Sequence, residues 1–353
     1  MNSEFKIILE KIENTLKTSL PESTNKTWQE DSFGKIDTCI NDSHISTLLK
    51  PCNQLLNLGG KRWRPLLLVL CAQMTAEVKN KKNDIEKAYS LTPLVEFAHT
   101  ASLIHDDIED GADERRGFPC SYITYGTDVA INAASWLYFE STCAIKKINT
   151  DEKEKLRLYE LFLNELRLLH LGQAMDIKWH KIPDLIPTID EYTAMVRNKT
   201  GTLARLAVKI GILAGGGTED EIEKAGAIAQ DIGVGFQIID DVKNLTTGNP
   251  GKKRGDDIVE GKKSLPVLMH ITKNPSDKQL LCKYFAQAKK EGISSTAVEK
   301  AIELLTKSEA IEQARKKGNA LVQEKTRELS NLFAQKTKYG ELILELFVSM
   351  LCN

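Results

Sequence analysis

The sequence has no surplus of charge of either sign, because 48 Lys and Arg residues stand against 49 Asp and Glu residues, a formal net charge of −1. This balance gives no bulk attraction to nucleic acid or to an anionic membrane, so neither is expected as a partner. Any polyanionic ligand must be met by a local cluster of charge. The longest apolar run, near residues 66–72, is far shorter than the ~20 residues that span a bilayer, so no membrane span is predicted.

Cysteine pairs and a secretory signal are also missing. The seven cysteines are scattered and none forms a C-x-x-C pair, which disfavours a zinc site and a disulfide framework. We expect free thiols in a reducing compartment. The N-terminus lacks the basic and apolar regions of a secretory signal. The sequence therefore predicts a cytoplasmic protein.

Helical periodicity runs along nearly the whole chain. In residues 203–213, for example, apolar residues recur every three or four positions, the stripe of an amphipathic helix. Strand alternation and hairpin dipeptides are scarce. The length allows one to three domains, but no linker or repeat separates them. We expect one all-α domain over residues 1–353, a bundle of ten or more helices around a central cavity, with an N-terminal helical arm (1–50), a catalytic core (51–270) and C-terminal helices (271–353).

An acidic motif, D-D-x-x-D, supplies Asp106, Asp107 and Asp110 after an apolar stretch. On a helix Asp106 and Asp110 lie about 40° apart, and Asp107 lies about 60° from Asp110, so the three carboxylates share one side. Grouped negative charge is unfavourable unless a hard cation or many donors offset it. Oxygen ligands without Cys or paired His favour Mg²⁺ or Mn²⁺ over zinc. Alone, such a motif would more often be a solvated helix end.

A second element repeats this geometry with Asp240, Asp241 and Asn244, and Gln237 lies one turn before them. We expect the two acidic helix ends to face each other across a cavity with apolar walls. Mg²⁺ held by few carboxylates completes its shell with water and substrate phosphate. The pair of motifs therefore predicts a phosphorylated substrate with an apolar tail.

Basic residues form separate clusters around the two acidic motifs. Arg is suited to bidentate phosphate recognition and Lys to point-charge neutralisation. Taken singly, each cluster is more typical of solvated surface, and only their placement around two metal-type motifs favours phosphate binding. The clusters are Lys61, Arg62 and Arg64 after a Gly pair; Arg115 and Arg116; Lys199 before Thr200; Lys252 and Lys253; and Lys262 and Lys263.

Six sequence motifs, taken together in their order along the chain, resemble those of the trans-isoprenyl diphosphate synthases, the family of farnesyl, geranylgeranyl and longer polyprenyl diphosphate synthases. The similarity covers about residues 50–270. Six ordered motifs are far more specific than any one of them. They are G-G-K-R-x-R-P at 59–65, D-D-x-x-D at 106–110 with R-R-G after it, G-Q-x-x-D at 172–176, K-T-G at 199–201, F-Q-x-x-D-D at 236–241 and E-G-K at 260–262.

The resemblance implies a role for each matching position. Mg²⁺, with Mn²⁺ as the alternative, would be held by Asp106, Asp107, Asp110, Asp240 and Asp241, and more weakly by the amide oxygen of Asn244. The allylic diphosphate would be bound by Arg115, Lys199 and Lys262, with Lys252 or Lys253. Isopentenyl diphosphate would be bound by Lys61 (or Arg62), Arg64, His99 and Arg116. Thr200 and Gln237 would lie beside the reacting carbons. His99 precedes Asp106 by seven residues, which places it within about 20° on the same helix face.

The resemblance also implies the activity: a homodimer that condenses isopentenyl diphosphate with an allylic prenyl diphosphate. The alternatives are a class I terpene cyclase, a head-to-head synthase of the squalene type and a non-catalytic subunit of a heteromeric synthase. The loop at residues 59–65 argues against the first two, because a cyclase needs no second diphosphate site and head-to-head synthases lack this element. The presence of both acidic motifs argues against the third.

Two small residues, Ala101 and Ser102, bear on product length. They precede Asp106 by five and four positions, so they lie ~6–7.5 Å below the metal along the helix. Family members that stop at farnesyl diphosphate usually have a bulky side chain at one of these positions. We therefore expect geranylgeranyl diphosphate or a longer product. Farnesyl diphosphate is the alternative if a bulky residue closes the tunnel elsewhere; the candidates are Phe97, Trp136, Tyr138 and Phe139.

Overall fold

A computed structural model of the chain describes residues 3–80, 85–182, 184–248 and 253–352. Within these ranges the secondary structure is helical apart from one hairpin, in which β1 (Glu114–Arg115) pairs antiparallel with β2 (Phe118–Pro119). The predicted all-α class with ten or more helices is confirmed.

The described helices follow one another with short connections. Two of them are not α-helices: a π-helical turn at Arg197–Gly201 and a 3₁₀ turn at Pro275–Asp277. The α-helices, in chain order, are α1 (Ser3–Ser19), α2 (Lys26–Phe33), α3 (Asp42–Asn57), α4 (Trp63–Val78), α5 (Ile85–Ser90), α6 (Thr92–Asp110), α7 (Ser121–Tyr125), α8 (Thr127–Glu140), α9 (Cys143–Lys147), α10 (Glu152–Lys181), α11 (Ile189–Val196), α12 (Thr202–Ala214), α13 (Glu219–Thr246), α14 (Asp256–Glu260), α15 (Leu265–Lys273), α16 (Lys278–Glu291), α17 (Thr296–Lys307), α18 (Ala310–Ser330) and α19 (Lys338–Cys352).

The chain divides into two compact units, each made of segments that are not contiguous in sequence. The first unit comprises Met1–Asn164, Leu206–Gly226 and Ser330–Leu346, and the second comprises Glu165–Arg205, Ala227–Leu329 and Phe347–Asn353. The sequence-based division at residues 50 and 270 remains a prediction.

The first unit has α4 and α6 at its centre. The apolar run at residues 66–72 lies on α4, and every side chain in it is at most 1% exposed. This run is therefore a core helix, as its short length predicts. The helix α1 packs on α4, α5 and α6 through Phe5, Ile8, Ile12 and Leu16, which recur at helical spacing and are buried.

The second unit has a core of apolar side chains from several helices. Val234 and Ile238 on α13 pack with Leu265 and Leu268 on α15 and with Phe285 on α16. Six cysteines among the described residues are free thiols, and five of these are buried. Among the helices that the structure describes, none combines the length and the apolar character that crossing a membrane requires.

Candidate active site

The first acidic motif lies at the C-terminal end of α6, in the first unit. Ala101 is fully buried on this helix, Asp107 is 2% exposed, and Asp106 and Asp110 are half-buried. The helix ends at Gly111, whose φ of 65° is in the left-handed region that glycine adopts readily. The helix end therefore carries all three carboxylates, and one of them lies in the protein interior.

Arg115 provides positive charge beside this motif. The β1–β2 hairpin returns the chain so that Arg115 Nε donates to Asp107 Oδ1 at 2.6 Å, and Nη2 lies 3.7 Å from Asp106 Oδ2. Burial raises the pKa of Asp107, and Arg115 and the Cys120 thiol only partly oppose this. For Arg115 itself, burial lowers the pKa, but Asp107 and Asp106 raise it above its ordinary value. The guanidinium therefore remains charged.

The glycine pair before α4 accommodates Arg116. Gly60 has a φ of 148°, and a Cβ atom there would lie 3.0 Å from Arg116 Nη2. Arg116 Nη1 donates to the carbonyl of Gly59 and, at 3.4 Å, to that of Leu55. A side chain at residue 60 would therefore be strained by this backbone conformation and would crowd the arginine. Two segments predicted to bind isopentenyl diphosphate are in this way brought together.

Arg64 and His99 form a second part of this basic cluster. Arg64 Nη1 lies 3.2 Å from His99 Nε2, and its guanidinium lies 4.5 Å from the ring of Trp63. Burial lowers the pKa of His99 well below its usual range, and Arg64 and Arg116 lower it further. His99 is therefore neutral at physiological pH. Arg64 contacts His99, and Arg116 is close enough to lower the pKa of the same imidazole, so the three side chains form one basic cluster of the first unit.

Arg62 has different surroundings from its two basic neighbours. Its side chain is 3% exposed, Nε lies 2.7 Å from Glu13 Oε1, and Nη1 lies 2.6 Å from Glu96 Oε1. Nη2 donates to the carbonyl of Leu56 at 2.6 Å. All three guanidinium nitrogens are thus engaged with protein acceptors. Of the two alternatives left by the sequence, these contacts favour the exposed Lys61 as a diphosphate ligand.

In the second unit, Lys199 and Thr200 lie in the π-helical turn at 197–201. Such turns are rare in proteins overall, and those that occur are often at functional sites. Two glycines permit the close packing of this turn. A Cβ atom on Gly172 would lie 2.3 Å from the Lys199 backbone nitrogen, and one on Gly233 would lie 2.7 Å from the Gly201 Cα. The glycine of the G-Q-x-x-D motif is therefore needed to seat Lys199.

Asp176, the last residue of that motif, holds the Lys199 side chain. Lys199 Nζ donates to Asp176 Oδ2 at 2.6 Å, and His180 Nε2 lies 2.8 Å from Oδ1. Burial raises the pKa of Asp176, but Lys199 and His180 outweigh it and hold this pKa far below its usual range. Asp176 therefore remains ionised, and it fixes the direction of the lysine.

The second acidic motif lies near the C-terminal end of α13. Asp240 is exposed, whereas Asp241 is 5% exposed and accepts three hydrogen bonds. Gln237 Nε2 donates to Oδ1 at 3.0 Å, and the Tyr192 hydroxyl (2.7 Å) and the Leu265 N–H (3.2 Å) donate to Oδ2. Burial, with a contribution from Asp240, raises the pKa of Asp241 to about 6, although the three donors oppose the rise.

Thr200 is connected to Asp241 through Gln237. The Thr200 hydroxyl donates to Gln237 Oε1 at 2.8 Å, and Gln237 passes on a hydrogen bond from its Nε2 to the carboxylate. Because both ends of the amide are engaged, its orientation is fixed. The structure thus brings together three of the predicted site residues in the second unit.

Asn244 lies in the protein interior, with no exposed surface. Its Oδ1 accepts the backbone N–H of Asp257 at 3.1 Å, and its backbone carbonyl accepts that of Gly255 at 2.9 Å. The amide oxygen that was expected to be a weak metal ligand thus contacts the first turn of α14 in the structure.

Lys262 and Lys253 follow α13 in the second unit. Lys262 Nζ lies 2.8 Å from Glu260 Oε2 and 3.9 Å from Asp257 Oδ1. The side chain of Lys253 is exposed. Lys252, its predicted alternative, lies outside the described residues.

The acidic side chains suit a hard cation, although the described part of the chain contains no group of three Asp, Glu, His or Cys residues already arranged around one. Asp107 is engaged by Arg115, and Asp241 by three donors. Each acidic end nevertheless offers oxygen ligands only, with a buried carboxylate beside the more exposed Asp106 or Asp240. Because burial disfavours the ionised form, a bound Mg²⁺ would stabilise these carboxylates at either end.

Three residues that contact predicted residues of the site or of the loop at residues 59–65 could hardly be identified from the sequence. Asp176 belongs to a recognised motif but had no predicted role. Tyr192 lies 49 residues from Asp241, and an isolated tyrosine predicts no contact. Glu96 precedes His99 by three residues, which places it on the same face of α6, and this spacing is the one signal available for it.

The family of the chain follows from comparison with known proteins. The family model described as polyprenyl synthetase matches residues 45–305, more than half of the chain. The chain belongs to the polyprenyl synthetase family, and the predicted family is confirmed.

Several curated relatives are similar to this chain. A geranylgeranyl pyrophosphate synthase of Gibberella zeae is 36% identical over 255 residues, which cover 70% of this chain and 65% of that protein. A geranylgeranyl pyrophosphate synthase of Aspergillus flavus is 31% identical over 303 residues, 84% of each protein. A short chain isoprenyl diphosphate synthase of Methanocaldococcus jannaschii is 37% identical over 234 residues, 66% of this chain and 68% of that protein.

Solved structures share the fold. The geranylgeranyl pyrophosphate synthetase of Pyrococcus horikoshii superposes with a TM-score of 0.81 at 25% identity, over 99% of this chain and 98% of that one. A decaprenyl diphosphate synthase of Rhodobacter capsulatus has a TM-score of 0.78 at 21% identity, over 98% and 97% of the two chains. The second similarity concerns the fold alone.

Proposed function

We propose that the chain is a Mg²⁺-dependent prenyltransferase that condenses isopentenyl diphosphate with an allylic diphosphate. One observation carries this proposal: basic side chains of the first unit have two different sets of hydrogen-bond partners. Arg115 contacts the acidic end of α6, while Arg64 contacts His99 and Arg116 contacts the loop at residues 59–65. A terpene cyclase needs one diphosphate site, whereas a condensation of two diphosphates needs two.

The acidic ends would bind the metal. When bound, Mg²⁺ would stabilise the negative charge that develops on the diphosphate leaving group. Its ligands in this proposal are Asp106, Asp107, Asp110, Asp240 and Asp241. Among the expected metal ligands Asn244 would bind most weakly, because its amide oxygen already accepts a backbone N–H.

The allylic diphosphate would be bound by Arg115, Lys199 and Lys262, with Lys253 or Lys252. Arg115, Lys199 and Lys262 each already contact a carboxylate, at 2.6 Å, 2.6 Å and 2.8 Å respectively. These contacts hold the cations in defined positions before any substrate arrives. Such preorganised charge stabilises a developing anion without reorganisation during the reaction.

Isopentenyl diphosphate would be bound by Lys61, Arg64, His99 and Arg116. Burial keeps the His99 imidazole neutral, so it would contribute a hydrogen bond rather than a charge. The two arginines and the lysine would neutralise the diphosphate.

The reaction would begin when the allylic C–O bond breaks and its electron pair leaves with the diphosphate. The double bond of isopentenyl diphosphate then supplies the electrons of the new C–C bond, and the released diphosphate takes up the proton that is lost. Oxygens of Thr200 and Gln237, oriented by their mutual hydrogen bond, would stabilise the cation. No nucleophilic side chain is required.

Geranylgeranyl diphosphate or a longer chain is the proposed product. Ala101 is fully buried and Ser102 half-buried on α6, so neither adds bulk below the acidic end. Of the four residues that would shorten the product, Trp136 stacks on Phe33 and Phe139 is 73% exposed. Trp136 thus packs against α2 and Phe139 is exposed to solvent, which argues against either of them closing the product tunnel. The names of the Gibberella and Aspergillus relatives also support a geranylgeranyl product.

Phe97 and Tyr138 remain as residues that could limit the length of the product. Phe97 is 1% exposed, and Tyr138 stacks on His105 with ring centroids 5.8 Å apart. An Ala101→Phe substitution adds bulk on the same helix and should shorten the product.

The test is an assay with isopentenyl diphosphate and dimethylallyl, geranyl or farnesyl diphosphate, with chromatography of the products. We expect geranylgeranyl or longer diphosphates. Accumulation of farnesyl diphosphate would overturn the proposed length. A hydrocarbon product from one diphosphate would instead indicate a cyclase, and an absence of condensation with all three primers would refute the proposed function.

We also propose that the protein is a homodimer. Large apolar side chains are exposed on α8 and on the N-terminal half of α10: Ile131 (44%), Phe139 (73%), Leu156 (59%) and Leu163 (44%). Leu156 and Leu163 lie seven residues apart, so they share one face of α10. Large exposed apolar side chains grouped on one helix face are a feature of interaction sites, and a second copy of the chain is the proposed partner.

A further inference from the structure

A buried ion network connects the N-terminal helix to the loop at residues 59–65. Arg62 is its centre, and the side chain contacts three different helices: Glu13 on α1, Leu56 on α3 and Glu96 on α6. The exposed fraction of the side chain is 3% for Arg62, 4% for Glu96 and 35% for Glu13. Glu13 is thus the network's outermost member, and it is the one member from the N-terminal helix.

The backbone of Arg62 is held in an unusual conformation. Its φ is 45°, in the left-handed region that residues other than glycine and asparagine rarely adopt. Arg62 directly precedes α4. A residue keeps such a conformation when its surroundings determine it. Here the three side-chain contacts supply that determination.

This conformation sets the directions of the neighbouring residues. Lys61 precedes Arg62, and Arg64, two residues later, lies 3.2 Å from His99. Glu96 is three residues before His99 on α6, so the network contacts the two segments that carry Arg64 and His99. Loss of one of the contacts to Arg62 would therefore move the loop at residues 59–65 relative to α6.

We propose that Glu13 is a positioning residue for the isopentenyl diphosphate site, acting through Arg62 on Lys61 and Arg64. Glu13 lies outside residues 45–305, the part of the chain that the family model matches. The inference rests on the proposed function, since it assumes that Lys61 and Arg64 bind isopentenyl diphosphate. It assigns the N-terminal helix a part in substrate affinity in addition to its packing.

Glu13→Ala and Glu13→Gln test this inference. A misplacement of about 1 Å can cost about a hundredfold in catalysis, so for a smaller displacement of the loop we expect Glu13→Ala to raise the KM for isopentenyl diphosphate about three- to tenfold. The KM for the allylic substrate should change less than twofold. Glu13→Gln keeps an oxygen acceptor for Arg62 Nε and should restore most of the affinity.

Lys11→Met is the matched control on the same helix. Lys11 pairs with Glu86 and lies 4.3 Å from the ring centroid of Tyr89, so its loss weakens the attachment of α1 without touching Arg62. We expect a lower melting temperature and an unchanged ratio of the two KM values. A structural role alone would make Glu13→Ala behave in the same way as Lys11→Met.

Calorimetric titration of isopentenyl diphosphate into each protein tests the proposed function and the positioning role of Glu13 separately. If the wild type fails to bind isopentenyl diphosphate, the proposed function is wrong. If the wild type binds and Glu13→Ala binds equally well, or if Glu13→Ala weakens both substrates equally, the positioning inference is overturned. Should Glu13→Ala fail to fold, Glu13→Gln takes its place: a larger change in the KM for isopentenyl diphosphate than in that for the allylic substrate supports the inference, and equal changes in both KM values overturn it.

Discussion

Removal of the Tyr192 hydroxyl should make metal-dependent activity more sensitive to acid. The hydroxyl donates to Asp241 Oδ2 at 2.7 Å, and burial with the neighbouring carboxylate raises the pKa of Tyr192 well above its ordinary value. Tyr192 is therefore a hydrogen-bond donor at every pH of interest. Tyr192→Phe keeps the buried ring and removes this one bond.

The size of the effect follows from the pKa of Asp241, which is about 6. A hydrogen bond to a charged group contributes about 1.5 kcal/mol or more, and 1.36 kcal/mol corresponds to one pKa unit. Loss of a donor to the ionised form raises the pKa, here by about one unit. At pH 6.5 the ionised fraction of Asp241 then falls about threefold, whereas at pH 8.5 it hardly changes.

The measurement is the Mg²⁺ concentration that gives half-maximal turnover, at pH 6.5 and at pH 8.5. Protons compete with the metal for Asp241, so Tyr192→Phe should need about threefold more Mg²⁺ at the lower pH. Thr193→Val is the control, because its hydroxyl, one residue further along α11, donates to the Ile189 carbonyl at 2.8 Å. A deficit in Tyr192→Phe that is equal at the two pH values, or absent at both, would refute the reasoning.

Four further outcomes are expected. Chelation with EDTA should abolish turnover, and Asp240→Ala should lower it by orders of magnitude; full activity in EDTA would exclude the metal. Arg64→Ala should raise the KM for isopentenyl diphosphate about ten- to a hundredfold, and Lys199→Ala that for the allylic substrate, because each loses a charged contact; equal effects on both substrates would contradict two separate sites. Gly172→Ala should lower stability by about 1–3 kcal/mol in denaturant titrations, since its Cβ would meet the Lys199 backbone; wild-type stability would mean that the turn can shift at little cost. Phe139→Ser should favour the monomer in sedimentation experiments, because a side chain 73% exposed in one copy is available to a second; an unchanged dimer would place the interface elsewhere.

The parts of the site that the sequence predicts are local ones. The grouping of the three carboxylates on α6 follows from helical spacing alone, because Asp107 and Asp106 lie three and four residues before Asp110 and share a face with it. The fold class follows in the same way from apolar periodicity. These features depend on neighbours within two helical turns, and in the structure both acidic motifs lie at or near the C-terminal ends of long helices.

The parts that the sequence does not predict depend on distant partners. Lys61 and Arg62 are adjacent and chemically similar, yet Arg62 is buried by contacts with residues 49 and 34 positions away in the chain. Asn244 fits the spacing of a metal ligand, but its oxygen accepts an N–H from Asp257, 13 residues later. No short sequence pattern contains either of these partners. Spacing alone therefore could not distinguish the residues proposed to bind the metal or a diphosphate from the residues that hold other side chains in place.

The pairing of cations with carboxylates explains how a chain with a net charge of −1 can be suited to bind two diphosphates. Attraction by net charge is not available, so binding must come from cations in fixed positions. Arg115, Lys199 and Lys262 each have a carboxylate within 3 Å, and these partly buried pairs are screened little by salt. Each carboxylate limits the directions its cation can take, which reduces the conformational entropy lost when a diphosphate binds. The acidic residues of the proposed site thus act in two ways: Asp106 and Asp240 as proposed metal ligands, and Asp176 and Glu260 as supports for the cations.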